Sequence, residues 1–352
     1  MVRSADHFPH HSGRYGRTQR VLSLLLAGFV LLLAGQTAAQ SRSAVPMRPL
    51  MGYHESWGEL PVSSGELTRL ARLPSYVNLV VLSFVKPDLE YAGGHDLSRT
   101  GFGFPFPGTV LAEAVRILKQ RQPGTRILVS VGGATYGNWR GLNVAALARL
   151  VQDFALDGVD IDFEPQSPGC RTQDNGERVC ATDRQWRSIV RSVRQALPRP
   201  SIVAAAAWSV AAYGEGEFVK APPLGSNYTG HALGLFRAAE GRDLDLVSIM
   251  AYNAPGLDAA QAFRAFRRVW DGPLLLGVLV PPDDMGDAPY TIDRLEALIP
   301  TVKPDPLGGF MVYTLQRQAE GGRAARQTPD ATLMMQTLCR SLGLKDCSSV
   351  LP

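Results

Sequence analysis

The stretch Asp157-Gly158-Val159-Asp160-Ile161-Asp162-Phe163-Glu164 decides the fold. Apolar residues alternate with carboxylates, and a period of two is the pattern of a β-strand. Asp160, Asp162 and Glu164 then project from one face, spaced by roughly 6–7 Å. Val159, Ile161 and Phe163 point the other way and demand apolar packing. That demand weakens the reading of a solvated acidic face. A calcium loop is also a weaker reading, because it needs polar turn residues and a central glycine. Neighbouring carboxylates repel, so at least one is expected to keep its proton above the usual carboxylate range. Asp157 is out of phase with the row and reads as structural, at the strand's start.

Outward from this strand, short β-rich runs alternate with helical periodicity. The other runs are Leu50 to Trp57, Val77 to Val85, Arg126 to Val131, Ile202 to Trp208, Leu246 to Tyr252, Leu274 to Val280 and Gly309 to Leu315. Val77 to Val85 is almost wholly apolar, as in a strand buried on both faces. Helices are expected near Ser64 to Leu73, Val110 to Gln120, Val144 to Phe154, Ala232 to Ala239, Asp258 to Trp270 and Thr291 to Leu298. Thr182 with Gln185 reads as a capping box opening another helix. Thr328-Pro329 reads as an N-cap with proline at N1, opening the last one. Eight strands alternating with helices over about 290 residues predict an α/β fold, a single-domain (β/α)8 TIM barrel. The barrel is expected over 50–340, after a poorly ordered linker at 40–49 and before a C-terminal tail at 341–352. A doubly wound sheet would want a glycine-rich nucleotide turn after the first strand. Gly52-Tyr53-His54-Glu55 is not one.

The first residues form a separate pattern. Arg14, Arg17 and Arg20 precede an apolar run from Val21 to Gly35, followed by Thr37-Ala38-Ala39. This predicts a signal peptide over 1–39, cleaved after Ala39, and a secreted protein, extracellular or periplasmic, with no membrane attachment after cleavage. The apolar run is short for a membrane span, which needs about 20 residues. The 352-residue chain has 36 basic and 32 acidic residues, a formal charge of +4. Residues 1–39 carry four Arg and one Asp, so 32 basic and 31 acidic residues remain, a charge of +1. Nothing in that balance argues for a nucleic-acid partner. The four cysteines fall into two local pairs, and in an exported chain they are expected as disulfides Cys170–Cys180 and Cys339–Cys347. No Cys-x-x-Cys spacing supports zinc, and no metal or cofactor is expected.

Asp-Gly-x-Asp-x-Asp-x-Glu at 157–164 resembles the signature of the family 18 glycoside hydrolases, the chitinase family, at every defined position. Ser130-Val131-Gly132-Gly133 resembles that family's Ser-x-Gly-Gly. Met250-Ala251-Tyr252-Asn253 resembles its Met-x-Tyr-Asp/Asn. Gly309-Phe310-Met311-Val312-Tyr313 occupies the place of its last-strand Gly-x-Met-x-Trp, with Tyr313 where tryptophan is usual. The resemblance runs from about residue 50 to 316, across most of the expected barrel.

The resemblance implies a retaining hydrolysis in which the substrate's own acetamido group is the nucleophile. Glu164 would be the acid and then the base. Asp162 would orient the acetamido group, and Asp160 would trade a proton with Asp162. Tyr252 would hydrogen-bond the acetamido oxygen. Ser130 is expected to hydrogen-bond Asp160, and Gly132 and Gly133 to permit close backbone approach. Tyr53, Trp139, Trp208, Met250, Asn253 and Tyr313 are expected to contact sugar, and Phe102, Phe104 and Phe106 to form a wall. Val280 to Gly309 leaves no room for the extra α+β insertion domain of some chitinases, which predicts a shallow, open cleft. The expected partner is chitin or an N-acetylglucosamine-containing oligosaccharide, cut endo-wise by a monomer. An endo-β-N-acetylglucosaminidase acting on N-glycan cores or peptidoglycan, and a non-catalytic chitin-binding lectin, are the other readings.

Overall fold

Eight strands pair in parallel and close into a barrel. The computed structural model describes residues 45–282 and 288–352; the expected signal peptide at 1–39 lies outside them. In chain order the strands are β1 (Leu50–Glu55), β2 (Leu79–Val85), β3 (Arg126–Gly132), β4 (Gly158–Asp162), β5 (Cys170–Thr172), β6 (Arg178–Cys180), β7 (Ile202–Trp208), β8 (Leu246–Met250), β9 (Leu274–Leu279) and β10 (Gly308–Tyr313). The barrel order is β1-β10-β9-β8-β7-β4-β3-β2, while β5 and β6 form a separate antiparallel hairpin. The helices are α1 (Gly108–Arg121), α2 (Val144–Asp153), α3 (Asp183–Ala196), α4 (Leu233–Phe236), α5 (Ala259–Val269), α6 (Ile292–Val302) and α7 (Ala331–Leu342).

The strands are buried on both faces, most of them because they are apolar on both, β4 although one of its faces carries Asp160 and Asp162. Every residue of β9, Leu274 to Leu279, is buried, as is all of β4. Helices α2, α5 and α6 begin at Asn143, Asp258 and Thr291, whose side chains accept from the N–H three residues on. Such caps satisfy donors that the first turn leaves unpaired. The connection between β9 and α6 runs only from Val280 to Thr291, too short for an inserted domain. Among the described residues no helix is long and apolar enough to cross a membrane.

Three helix expectations are corrected. Residues 64–73 form two short 3-10 turns, Gly65–Leu67 and Leu70–Arg72, broken where Thr68 is extended. The buried Glu59 carboxylate accepts from the N–H groups of Arg69 and Leu70, which holds the second turn in place of a continuous helix. Thr182 makes no capping bond; Asp183 instead accepts from Cys180 N at 2.9 Å. The last helix is capped by Asp330, which accepts from Leu333 N at 2.7 Å, two residues beyond the expected Thr328.

Both chain ends of the barrel are tied down. Arg48 Nη1 donates to the carbonyls of Lys303 and Asp305, and Phe310 N donates to Pro49 O, so the end of the expected linker is docked. The tail after α7 is fastened by the Cys339–Cys347 disulfide and by Tyr76 Oη donating to Ser349 O. Cys170 and Cys180 are also joined, across the β5–β6 hairpin. Asp157 sits at the start of β4, where its carboxylate accepts from Ile127 N and pairs with Lys119, both at 2.8 Å.

Two stability predictions arise. Replacing Cys339 and Cys347 by serine opens a short loop and should lower unfolding free energy by about 2–3 kcal/mol, read by urea denaturation. His231 is buried, stacked on Trp186 at 4.5 Å, and burial depresses its pKa to about 3. Unfolded, it would titrate near its ordinary value of 6.5. Between these values the unfolded state binds the extra proton, so this residue's contribution removes stability as pH falls below about 6.5. His231→Phe should therefore gain Tm relative to wild type progressively from pH 6 to pH 4, in calorimetric scans; an equal Tm difference at every pH would contradict this.

Candidate active site

The carboxylate row lies at the carboxyl end of β4, the end at which barrels of this kind gather chemistry. Register explains why it fits. Asp160 pairs with Ser130 on β3 and with Ala204 on β7; Asp162 pairs with Gly132 and with Ala206. The neighbours are small on both sides, so the barrel interior has room for two buried carboxyl groups. Gly132, at φ +104, is required by the same crowding: a Cβ there would stand 2.3 Å from both Asp162 O and the Trp139 ring. Gly133 N donates to Asp162 O at 2.9 Å and seals the two strand ends together.

Asp160 is fully buried, and its Oδ2 accepts from Ser130 Oγ and Tyr53 Oη, each at 2.7 Å. Its Oδ1 and the Oδ1 of Asp162 have no protein hydrogen-bond partner. Burial pushes Asp160 up to about 6, although the two hydroxyl donors favour its charged form. Asp162 is held well above the ordinary carboxylate range by burial, then by the charges of Glu164 and Asp160. Glu164, two residues past the strand's end and half-buried, is pushed up to about 7 by burial. Near neutrality the row thus keeps protons on Asp162 and on a large share of Glu164, with negative charge on Asp160.

Around the row lies a cleft of about 660 Å³. Asp162, Glu164, Tyr53, Trp208, Met250, Tyr252, Asn253 and Tyr313 line it. Tyr313 stacks on Tyr252 at 6.1 Å and meets Tyr53 edge-on at 5.5 Å, so three tyrosines from three strand ends form one aromatic surface. Trp57 and Phe84 add a stacked pair at 6.2 Å.

Some expected residues are elsewhere. Trp139 does not line the cleft; it is 5% exposed and packs edge-on against Phe163 at 5.3 Å, behind the row. Phe102, Phe104 and Phe106 contact one another at 5.1 and 5.3 Å and stay out of the cleft wall. Tyr228 and Gln166 line the cleft but were not anticipated. Tyr228 sits in the long glycine- and proline-rich loop after β7; its position beyond a barrel strand's carboxyl end was the available signal.

No protein-family model matches the chain. A chitinase of Plasmodium falciparum (isolate 3D7) is 30% identical over 169 residues, 41% of this chain and 43% of that protein. Exochitinase 1 of Streptomyces olivaceoviridis is 29% identical over 144 residues, 37% of this chain and 22% of that protein. The matches span less than half the length of these curated relatives. Among solved structures, a GH18 chitinase from Pseudoalteromonas aurantia shares the fold with a TM-score of 0.59 at 19% identity, covering 84% of this chain and 100% of that one. In its eight-residue motif on the fourth barrel strand, in these sequence matches and in its fold, the chain is similar to the chitinases of glycoside hydrolase family 18.

Proposed function

We propose that the protein is an exported glycoside hydrolase that cleaves β-1,4 bonds between N-acetylglucosamine units within chitin or its oligosaccharides. The observation that carries this reading is the graded row of buried carboxyls opening on an aromatic cleft. An acid with its pKa near 7 can both give and recover a proton at neutral pH. Sugar rings stack on aromatic faces, and the tyrosine surface offers them. The two disulfides support folding in an oxidising compartment.

In this reading Glu164 gives its proton to the glycosidic oxygen as the bond to the anomeric carbon breaks. The carbonyl oxygen of the same sugar's acetamido group closes on that carbon, forming an oxazolinium ion. Asp162 orients the acetamido N–H and, by passing its proton to Asp160, faces the positive ring as an anion. Tyr252 hydrogen-bonds the acetamido oxygen and keeps it aimed. Water then adds to the anomeric carbon, gives its proton to Glu164, and the ring opens with configuration retained. Ser130 and Tyr53 hold the Asp160 charge that the proton shift requires.

Two tests separate the parts. Wild type should release short products from chito-oligosaccharides and colloidal chitin, while Glu164→Gln should lose at least about 1,000-fold in kcat and still bind oligosaccharide by calorimetry. Cleavage of a high-mannose glycopeptide alone would move the activity to N-glycan cores. Tight chitin binding with no turnover of any substrate would make the protein a lectin.

The second test is pH dependence. Glu164 must be protonated, so kcat/KM should fall above about pH 7. Tyr53→Phe removes one of the two donors that favour charged Asp160, so the Asp160 pKa should rise from about 6. The acidic limb of the profile should then move to higher pH; an unmoved limb would exclude Asp160 from the titration that sets it.

A further inference from the structure

Glu164 stands past the end of β4, where no strand pairing fixes its backbone. Something else must hold it, because a general acid misplaced by about 1 Å can lose a hundredfold in rate. The residue that follows it is tied to the loop after β7. Tyr228 Oη donates to Pro165 O at 2.8 Å. The Tyr228 ring stacks on Trp208 at 4.0 Å and 12°, and both rings line the cleft.

Tyr228 is itself anchored. Arg178, from the disulfide-closed β5–β6 hairpin, donates through Nε to Thr229 O at 2.9 Å. Its side chain lies against Gly230, where a Cβ would come within 2.2 Å of it. Arg178 N donates to the Glu215 carboxylate at 2.5 Å, and Arg237 bridges that carboxylate and Arg178 O. The chain leaving Glu164 therefore runs into a hairpin whose far strand grips the loop that grips Pro165. The circuit closes on itself, and Tyr228 makes its hydrogen bond back to the backbone of Pro165, the residue next to the acid.

We propose that Tyr228 is a positioning residue for Glu164: its hydroxyl fixes the Pro165 carbonyl, and its stack on Trp208 fixes the hydroxyl. This inference rests on the reaction proposed above for Glu164. Tyr228 acts through the backbone and does not itself transfer a proton. A loosened Pro165 lets Glu164 swing toward water, which lowers both its alignment and its affinity for the proton.

The charged and titratable groups that interact with Glu164 are Asp162 on β4, Tyr252 after β8, Tyr313 on β10 and Tyr228 itself, with Asp160 acting in turn on Asp162. His231, 6.0 Å from the Tyr228 ring, is neutral across the working range.

Tyr228→Phe keeps the ring and removes the hydroxyl. Against chito-oligosaccharide it should lower kcat about tenfold, the worth of one lost hydrogen bond, with KM within about twofold of wild type. The alkaline limb of its pH profile should move to lower pH. Hydrogen exchange at residues 163–167 should speed up in the absence of any substrate. Unchanged kcat, a change confined to KM, an unmoved alkaline limb, or unchanged exchange at 163–167 would each overturn the assignment, as would a lower Tm with no kinetic change. If wild type turns over none of the substrates, the proposed function fails, and the brace is judged on exchange alone: faster exchange confined to 163–167 sustains it and unchanged exchange removes it.

Discussion

Two hydroxyl groups on one carboxylate oxygen underlie this site. Tyr53 and Ser130 both donate to Asp160 Oδ2, inside a barrel that excludes water from Asp160 altogether. A charge buried that deeply is tolerated only when hydrogen bonds replace its hydration. With the charge settled on Asp160, a second negative charge on Asp162 is opposed by both burial and repulsion. The difference between two adjacent aspartates therefore comes from what touches each of them. Asp160 accepts two hydrogen bonds at Oδ2, although its Oδ1, like that of Asp162, has no protein partner.

The barrel makes that difference possible through register. Because β3 and β4 pair with Ser130 opposite Asp160, the hydroxyl donor arrives laterally and needs no loop to carry it. Because β7 sets Ala204 and Ala206 opposite the aspartates, nothing large competes for the interior. Gly132 then lets the ends of β3 and β4 close over Trp139. The rigid part of the site is thus made of strands. The acid is different: Glu164 lies beyond the ladder and depends on loops, the disulfide hairpin and the Tyr228 contact. Rigid scaffold and loop-borne group are combined in one row of three carboxyls.

The aromatic surface shows a similar division. Tyr53, Tyr252 and Tyr313 come from strand ends that are neighbours only because the sheet closes, β1 lying beside β10. Tyrosine at 313 keeps a ring in contact with the other two. Trp139 has the larger apolar face but spends it on Phe163, supporting the back of β4. An aromatic near a strand end can serve either purpose, and the choice is made by which neighbour leaves space for it.

Local pattern determined much of this protein. The period-two row at 157–164, the apolar runs of the other strands and the spacing of the cysteines are properties of adjacent residues, so the barrel and both disulfides were legible from them. The motif also singled out Asp160, Asp162 and Glu164 as the residues to examine. What the sequence could not decide were contacts between residues far apart in the chain. Tyr53 reaches Asp160 across 107 positions, Tyr228 reaches Pro165 across 63, and Trp139 turns inward because Gly132 leaves it room. Periodicity assigns a side chain to a face of its own element, but only closure of the sheet and return of the loops determine what that face meets.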